Sequence, residues 1–294
     1  MIALSPPASH SVSGTTRLYG IMGYPVTHSL SPLMHTFAFQ HYDLDSLYVP
    51  FPVAPEHLAA AVVGALALGI YGFNVTIPHK EAIMAHVDEM SAEARFIGAV
   101  NTVQIRDGRA IGHNTDGEGF LQPLRALSLT FTETLVCLLG AGGAARAIAM
   151  ALLQSECPAL VIVNRTYERG QRLVTVLQKH FPHAEIRAVP YEQAADVARG
   201  STLIVNATSV GLHREDAVLL PDTCFRAGQI VYDIVYRPLD TPLLQAARRR
   251  GAKVVSGIDM LIGQGAEAFH LWTDLTFPVE AIRRVLEPFL HDAS

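Results

Sequence analysis

A pair of serines is the first group in the chain whose types and spacing suit a ligand. Ser29 and Ser31 flank Leu30 directly before Pro32, at the predicted start of a helix. Hydroxyl groups and the unpaired amides of a helix start can bind a carboxylate. One serine alone would be an ordinary helix cap, and the presence of two favours a bound carboxylate.

A lysine stands in the second polar group, which follows a predicted strand. Asn74 and Thr76 lead to Lys80, and Pro78 interrupts the strand before it. An ammonium at the mouth of a sheet can protonate or stabilise a ketone oxygen that becomes an alkoxide when hydride arrives. Lysines are more often solvated surface residues, and this cluster alone does not decide between the two interpretations.

The third polar group is divided between two further predicted strands. Asn101 and Thr102 are predicted to end one strand, and Asn114 and Asp116 to end another. A carboxylate beside Lys80 would favour its ammonium form, whereas burial would favour the neutral amine. Asp116 could equally be a turn or cap residue, so the sequence leaves open whether Lys80 is a proton donor or only an electrostatic stabiliser.

Short apolar runs alternate with helical patterns along the chain, which predicts an α/β fold to position these groups. The first half has predicted strands at 18–23, 47–53 and 71–76, and helices at 31–42 and in the apolar run 58–73. This series predicts a mostly parallel sheet with helices on its faces. The second half has predicted strands at 134–139, 160–164, 185–189, 202–206 and 229–235, and helices at 144–154 and 168–180. That series is typical of a Rossmann-type, doubly wound parallel sheet.

Two domains are predicted from these two series and from the length of 294 residues. Residues 117–257 are predicted to form the dinucleotide-binding domain. Residues 17–116 are predicted to form an α/β substrate-binding domain, to which the helices in 258–294 return. Residues 1–16, rich in Ser, Thr and Pro, are expected to be a flexible tail.

A glycine-rich turn separates the first strand of the second half from an alanine-rich helix. Its residues are Gly140, Ala141, Gly142, Gly143 and Ala144. Glycine lets the backbone turn tightly and lets a pyrophosphate approach amides at the positive end of a helix. An ordinary strand-to-helix turn would have the same residues. The residues after the next strand are therefore needed to decide whether the turn binds a dinucleotide.

The residues after the next strand favour NADP over NAD. NAD-dependent enzymes place Asp or Glu about 20 residues beyond the glycines, whereas this chain has Asn164, Arg165 and Thr166 there, with Arg169 one turn later. Guanidinium groups can hold a 2′-phosphate that a carboxylate would repel. The alternative is a solvated helix face that also includes Arg172.

A polar cluster closes the fourth predicted strand of the second half. Asn206, Thr208 and Ser209 stand there, followed by Gly211. The cluster lies at the sheet edge where a doubly wound fold binds its ligand, which fits a nicotinamide pocket. A capped turn would have the same composition.

Together these motifs resemble the shikimate dehydrogenase family. The matching segments are Gly23–Pro32 with His35, Asn74–Lys80, Gly98–Thr102, Asn114–Gly117, Gly140–Ala144, Asn164–Thr166, Asn206–Ser209, Asp233–Tyr236 and Gly257–Gln264. They run in order over residues 17 to about 290. Two departures affect the fine shape of the pocket: Thr36 stands where the family usually has Asn, and Leu212 where Met is common.

The resemblance implies an NADP-dependent oxidoreductase that reversibly reduces 3-dehydroshikimate to shikimate, on the way to aromatic amino acids. By matched position it implies a catalytic pair, Lys80 and Asp116. It implies substrate contacts from Ser29, Ser31, Asn74, Thr76, Asn101, Tyr236 and Gln264. It implies cofactor contacts from Gly140, Ala141, Gly142, Gly143, Ala144, Asn164, Arg165, Thr166, Arg169, Thr208, Ser209 and Met260.

Two other functions remain alternatives. The first is a quinate or dual quinate and shikimate dehydrogenase, often NAD-linked; both serines and the Arg165 cluster favour shikimate and NADP. The second is a catalytically silent relative that binds substrate or nucleotide as a regulator. Such a protein would be expected to lack Lys80 or Asp116, and the chain has both.

Composition limits the other partners. With 22 basic against 27 acidic residues and a net charge of −5, the chain has no basic surface run that would indicate nucleic acid. The apolar run 58–73 is too short to span a bilayer. Three scattered cysteines suit a reduced cytoplasm, and no histidine spacing indicates a metal. We therefore expect a cytoplasmic monomer or homodimer without membrane, nucleic-acid or metal partners.

Overall fold

The chain divides into two compact units in a computed structural model that describes residues 12–213, 216 and 218–290. The first unit contains the described residues up to Asn114 together with Gly265–Leu286, and the second contains Thr115–Gln264 and the described residues from Glu287 onward. Each unit has its own six-stranded sheet. The predicted α/β class is confirmed.

The first unit contains a mixed sheet. Its elements are β1 (Arg17–Gly23), α1 (Ser31–His41), β2 (Ser46–Pro52), α2 (Leu58–Ala67), β3 (Gly72–Val75), β4 (Glu89–Met90), α3 (Ala92–Ile97), β5 (Thr102–Arg106) and β6 (Arg109–His113). The strand order is β2-β1-β3-β5-β6-β4. Strand β1 is parallel to β2 and β3, whereas β5 is antiparallel to β3 and β6. Strand β4 is also parallel to β6, so five of the six strands of this sheet run in the same direction. The prediction of a mostly parallel sheet is therefore confirmed for this half, with β5 as the reversed strand.

A two-residue hairpin explains the antiparallel strands. Asp107 and Gly108 join β5 to β6 and have φ of 53° and 73°. An Asp-Gly pair with positive φ at both positions makes the tight turn whose twist matches two antiparallel strands. As a result, Asn101 and Thr102 stand at the beginning of β5. The sequence predicted that they would end a strand, and this prediction is wrong. Because β5 is reversed, Thr102 still pairs with Asn74 at the carboxyl end of β3.

Helix α2 occupies most of the apolar run, and only one of its faces is buried. Leu58, Val62 and Ala65 are in the core, while Val63 is 66% exposed and Leu68, just after the helix, is 79% exposed. The helix that the sequence predicts in this run is thus buried on one side. Among the described residues, no helix is long and apolar enough to cross a membrane.

The second unit contains a fully parallel sheet. Its elements are α4 (Asp116–Ala126), β7 (Leu135–Leu139), α5 (Gly143–Gln154), β8 (Ala159–Asn164), α6 (Tyr167–His180), β9 (Glu185–Pro190), α7 (Ala194–Gly200), β10 (Leu203–Asn206), β11 (Ile230–Asp233), α8 (Pro242–Arg249) and β12 (Lys253–Ser256). Two further helices, α9 (Gly257–Thr273) and α10 (Val279–Leu290), each have residues in both units. The strand order is β12-β11-β10-β7-β8-β9. This is the doubly wound Rossmann order, whose switch point lies between β7 and β10.

The contact division differs from the predicted domain limits in three places, one of which is the described residues from Glu287 onward, which belong to the second unit. Residues 115–116 and 258–264 belong to the second unit, although the sequence suggested the first. The reason is a close packing of α4 on α9, described below at Gly119. Of the predicted tail, residues 1–11 lie outside the described residues. The hydroxyls of Ser13, Thr15 and Thr16 donate to Asp45, so this end of the predicted tail is held on the first unit.

Candidate functional site

The glycine turn of the second unit leaves the start of a helix open to a ligand. Gly140 has a φ of +116°, and a Cβ there would lie 2.8 Å from the carbonyl oxygen of Ala207, so only glycine fits. The N-cap of α5 is Gly142, which has no side chain to accept hydrogen bonds from the first-turn amides. No described residue lies within 4 Å of the position that a Cβ of Gly142 would take. These amides and the helix dipole fit a pyrophosphate.

Two arginines follow β8, the strand that pairs with β7 before the glycine turn. Asn164 Nδ2 donates to the carbonyl oxygen of Thr166 at 2.7 Å, which shapes the turn between the strand and α6. Arg165 and Arg169 are exposed, and within the described ranges neither of them forms an ion pair. Their guanidinium groups are therefore available to a phosphate, and the residues present fit the 2′-phosphate of NADP.

A buried hydrogen-bond network joins the carboxyl ends of β10 and β11. Asn206 and Asp233 end these strands and pair in register. Asn206 Nδ2 donates to Asp233 Oδ1 at 2.9 Å, and its Oδ1 accepts from Thr208 N and Oγ1 at 3.0 and 2.7 Å. Thr241 Oγ1 donates to Asp233 Oδ2 at 2.7 Å. The network shapes the loop that carries Thr208 and the exposed Ser209, and sequence reasoning missed Asp233 as its centre.

Burial raises the pKa of Asp233 from 3.8 to about 6, because the side chain is fully enclosed. Hydrogen bonds from Thr241, Val235 and Asn206 lower the pKa and only partly offset this effect. The folded state therefore binds the proton more tightly than the unfolded chain. It follows that this carboxyl lowers the free energy of unfolding as the pH rises from about 4 to about 6, after which the loss stays constant.

Asp233→Asn is expected to raise the free energy of unfolding at pH 8 by about 3 kcal/mol, since one pKa unit corresponds to about 1.36 kcal/mol. The amide can keep the bonds to Asn206 and Val235 and donate to Thr241. Urea unfolding of both proteins between pH 4 and pH 8 measures the effect, and near pH 4 the gain should fall below about 1 kcal/mol. A difference that does not change with pH would contradict the argument.

The polar side chains of the first unit form a continuous cluster at the end of its sheet. Tyr48 Oη donates to Asn74 Oδ1 at 2.7 Å and also bonds Ser31. Asn74 Nδ2 donates to Thr102 Oγ1 at 3.0 Å and to the carbonyl oxygen of Asn101 at 3.4 Å. All five side chains are buried. The structure thus brings together three of the residues that the resemblance assigns to substrate, Ser31, Asn74 and Asn101.

Tyr48 connects this cluster and was not singled out from the sequence. Its ring stacks on His35 with centroids 4.6 Å apart and an interplanar angle of 12°. Neither ring nitrogen of His35 has a hydrogen-bond partner in the part of the chain that the structure describes, and burial lowers its pKa to about 3. His35 is therefore a neutral packing residue. A tyrosine in an amphipathic strand gives no sequence signal for the partner of its hydroxyl.

Lys80 stands in a turn that several backbone hydrogen bonds fix. Val100 N donates to the Lys80 carbonyl oxygen at 2.7 Å, and His79 N donates to that of Thr76 at 2.9 Å. The buried ring of His79 contacts the Val53 carbonyl oxygen through Nε2 at 2.6 Å. Lys80 itself is half-buried, so its backbone is rigid while its side chain can reach a ligand.

Ser29 and Thr76 stand on the turns around the first-unit cluster, and both are half-buried. Ser29 Oγ accepts from Ser31 N at 3.2 Å, which ties the two predicted carboxylate ligands together. Thr76 lies beside Gly23, where a Cβ would collide with the Thr76 methyl group. The loop before α1 and the turn after β3 therefore approach closely.

The helices α4 and α9, which carry Asp116 and Gln264, cross closely in the second unit. Asp116 is the first residue of α4 and is buried. One turn later, a Cβ on Gly119 would lie 2.9 Å from Gln264 Cα and nearer still to its backbone nitrogen. Met260 on α9 is buried in the core of this unit, and Tyr236 is half-buried. Lys80 belongs to the first unit and Asp116 to the second, so their pairing stays a prediction.

The second unit, with its doubly wound sheet, its open glycine turn and the two arginines after β8, defines a dinucleotide-binding α/β oxidoreductase. Three family models match the sequence: the shikimate dehydrogenase substrate binding domain at residues 21–103, shikimate / quinate 5-dehydrogenase at 125–217, and the shikimate 5'-dehydrogenase C-terminal domain at 257–287. The chain belongs to the shikimate dehydrogenase family.

Individual relatives match nearly the whole chain. A curated shikimate dehydrogenase (NADP(+)) from Moorella thermoacetica is 45% identical over 94% of each chain. The shikimate 5-dehydrogenase of Thermus thermophilus, solved with NADP(H) and shikimate, is 39% identical with a TM-score of 0.83, covering 92% of this chain and 99% of that one. The enzyme of Listeria monocytogenes, solved with shikimate and NAD, is 34% identical with a TM-score of 0.87, covering 94% and 98%.

Proposed function

We propose that the protein catalyses the NADP-linked, reversible reduction of 3-dehydroshikimate to shikimate, a step toward aromatic amino acids. The observation that carries this proposal is the match to NADP(+)-dependent shikimate dehydrogenases along 94% of the chain. The first unit binds the substrate and the second binds NADP. The buried cluster around Asn74 and the open turn at Gly142 support this division.

The proposed residue roles are those that the resemblance to the family implies. Ser29 and Ser31 bind the substrate carboxylate, and the ring and its hydroxyls are bound by Asn74, Thr76, Asn101, Tyr236 and Gln264. NADP is bound by Gly140, Ala141, Gly142, Gly143, Ala144, Asn164, Arg165, Thr166, Arg169, Thr208, Ser209 and Met260. Both amide hydrogens of Asn74 are committed to Asn101 and Thr102, and Oδ1 accepts from Tyr48, so this residue offers a substrate hydroxyl the second lone pair of Oδ1.

The chemistry needs a hydride and a charge at the ketone oxygen. NADPH supplies the hydride when it is bound. Lys80 holds its ammonium at the substrate oxygen and stabilises the alkoxide or gives it a proton, and Asp116 orients Lys80. Both groups belong to turns or helix starts that are fixed by backbone contacts, so little reorganisation is needed when charge develops.

An absorbance assay of NADPH with 3-dehydroshikimate tests the proposed function. We expect oxidation of NADPH in this direction and reduction of NADP by shikimate in the other. Quinate and NAD are run in parallel, and slower rates are expected with each. A faster rate with quinate and NAD would make quinate oxidation the function instead. No turnover of any of these pairs would contradict a dehydrogenase.

Arg165→Asp is expected to raise the KM for NADP on the order of 10- to 100-fold and to change that for NAD far less, because charge-assisted hydrogen bonds contribute about 1.5–3 kcal/mol each. The matched control is Arg172→Asp, which makes the same charge change at another exposed position of α6. We expect the control to leave both constants within about twofold. Equal losses for NADP and NAD in Arg165→Asp would contradict the 2′-phosphate assignment.

The remaining predictions about partners are not tested by these findings. They are the cytoplasmic location, the monomeric or homodimeric state, and the absence of nucleic-acid and metal partners. Cys137, Cys157 and Cys224 are free and buried. Their pKa values are raised by burial, which suits packing residues.

A further inference from the structure

We infer that Asp233 is a positioning residue, whose buried carboxylate holds the loop 206–211 and the segment around Tyr236 in one fixed arrangement by way of Asn206. The inference rests on the proposed function, which places Thr208 and Ser209 at the cofactor and Tyr236 at the substrate. Asp233 itself stands behind these residues and is fully enclosed.

The amide of Asn206 is fully used and can adopt only one orientation. Its Nδ2 donates to Asp233 Oδ1 at 2.9 Å and to the Val210 carbonyl oxygen at 3.0 Å. Its Oδ1 accepts from Thr208 N and Oγ1 at 3.0 and 2.7 Å, and Thr208 Oγ1 accepts from Val210 N at 3.1 Å. If the amide were flipped, its NH2 group would face the donors Thr208 N and Oγ1, and these hydrogen bonds would be lost. The conformation of 206–210 therefore depends on the acceptor that faces Nδ2.

Asp233 also fixes the segment that leads to Tyr236, by accepting a hydrogen bond from its backbone. Val235 N donates to Asp233 Oδ1 at 3.0 Å, so one oxygen atom accepts from both segments. The other oxygen accepts from Thr241 Oγ1 at 2.7 Å, which in turn caps α8 by accepting from Leu244 N. A displacement of this carboxylate moves the loop 206–210 and the Tyr236 segment together.

This position requires a hydrogen-bond acceptor toward Asn206 and Val235. All of its neighbours in the network, Asn206, Val235 and Thr241, donate to it. Asp233 has no ion-pair partner within the described ranges of the chain, so its charge is not retained for a salt bridge. An apolar side chain would leave buried donors of both segments unsatisfied, and reacting groups misplaced by about 1 Å can lose about 100-fold in rate.

Gln229 provides a matched control on the same strand. It directly precedes β11 at the opposite end from Asp233 and is also fully enclosed. It accepts from Arg226 N at 2.8 Å and donates to the carbonyl oxygens of Ala198 and Ser201, each at 2.9 Å. Each residue thus makes three buried hydrogen bonds, and only those of Asp233 reach the residues assigned to ligands.

The experiment compares Asp233→Ala, Asp233→Asn and Gln229→Ala with the wild type. It measures the Kd for NADPH from nucleotide fluorescence, kcat and KM with 3-dehydroshikimate, and the Tm. Asp233→Ala is expected to weaken NADPH binding about tenfold and to lower kcat on the order of 10- to 100-fold. Asp233→Asn, which keeps an acceptor toward Asn206 and Val235, should stay within about threefold, and Gln229→Ala should lower the Tm with constants within about twofold.

Three results would overturn the inference. They are normal constants in Asp233→Ala, equal kinetic losses in Gln229→Ala, and a loss in Asp233→Asn as large as that in Asp233→Ala. If Asp233→Ala does not fold, Asn206→Ala replaces it and must weaken NADPH binding about tenfold. A wild type that binds NADPH without reducing 3-dehydroshikimate refutes the proposed function alone, since the Kd values still decide the inference. A wild type that does not bind NADPH refutes both.

Discussion

Lys80→Met is expected to lower kcat about 10²- to 10³-fold while the KM for 3-dehydroshikimate stays within about threefold of the wild-type value. The ketone oxygen acquires its charge only as hydride arrives, so an ammonium aimed at it acts mainly in the transition state. Methionine keeps most of the length of the side chain and removes the charge and the proton. Steady-state kinetics with both substrates varied measure the two constants separately.

Lys179→Met is the matched control for Lys80→Met, because Lys179 is an exposed lysine in the last turn of α6. We expect wild-type constants from it. Substrate binding by Lys80→Met can be followed independently through Trp272, the single tryptophan of the chain, whose ring lies 6.2 Å from that of Tyr48. A higher KM with an unchanged kcat would mean that Lys80 serves only to bind the substrate.

Gly119→Ala is expected to lower the free energy of unfolding by about 2–4 kcal/mol and to reduce activity. The added Cβ would meet the backbone of Gln264, which cannot rotate away as the end of a side chain could. The helices α4 and α9 must then separate where Gly119 contacts Gln264, one turn after Asp116. Thermal unfolding, with a Tm lowered by about 4–16 °C, and the NADPH assay measure the two effects.

Gly64→Ala is the matched control, since it makes the same substitution inside α2. No described residue lies within 4 Å of the position of its Cβ. Alanine favours a helix over glycine by about 0.8–1 kcal/mol, so this variant is expected to be slightly more stable, with normal activity. If Gly119→Ala were as stable as Gly64→Ala, the close approach of α4 and α9 would not contribute to the stability of the fold.

The predicted elements correspond closely to those of the structure, because periodicity and turn residues act locally. Five of the six strands of the second sheet, for instance, were predicted, and each begins and ends within two residues of the predicted limits, whereas β12 was not predicted. The antiparallel hairpin at Asp107 and Gly108 was missed, although an Asp-Gly pair between short apolar runs is a hairpin signal. This error explains why Asn101 was assigned to the wrong end of a strand.

The candidate site was predictable as a set of residues and not as a set of contacts. Ser31, Asn74 and Asn101 could be chosen because polar groups in turns suit a ligand, and the resemblance assigned their roles. The hydroxyl of Tyr48 and the carboxylate of Asp233 reach partners far away in sequence, and such partners depend on the register of the sheets. The sequence signals for Asp233 were a carboxylate within the apolar run 230–235 and the matching segment Asp233–Tyr236, and neither gave its partners.

The first unit is assembled from both ends of the chain, and this affects the order of events during synthesis. Trp272 Nε1 donates to the Val103 carbonyl oxygen at 3.1 Å, and its ring fills the space in which Gly72 lacks a side chain. On the ribosome, the unit that emerges first must therefore wait for the last helices before its core closes, while the second unit is already almost complete. The nascent substrate unit is then the one that depends longest on protection from aggregation.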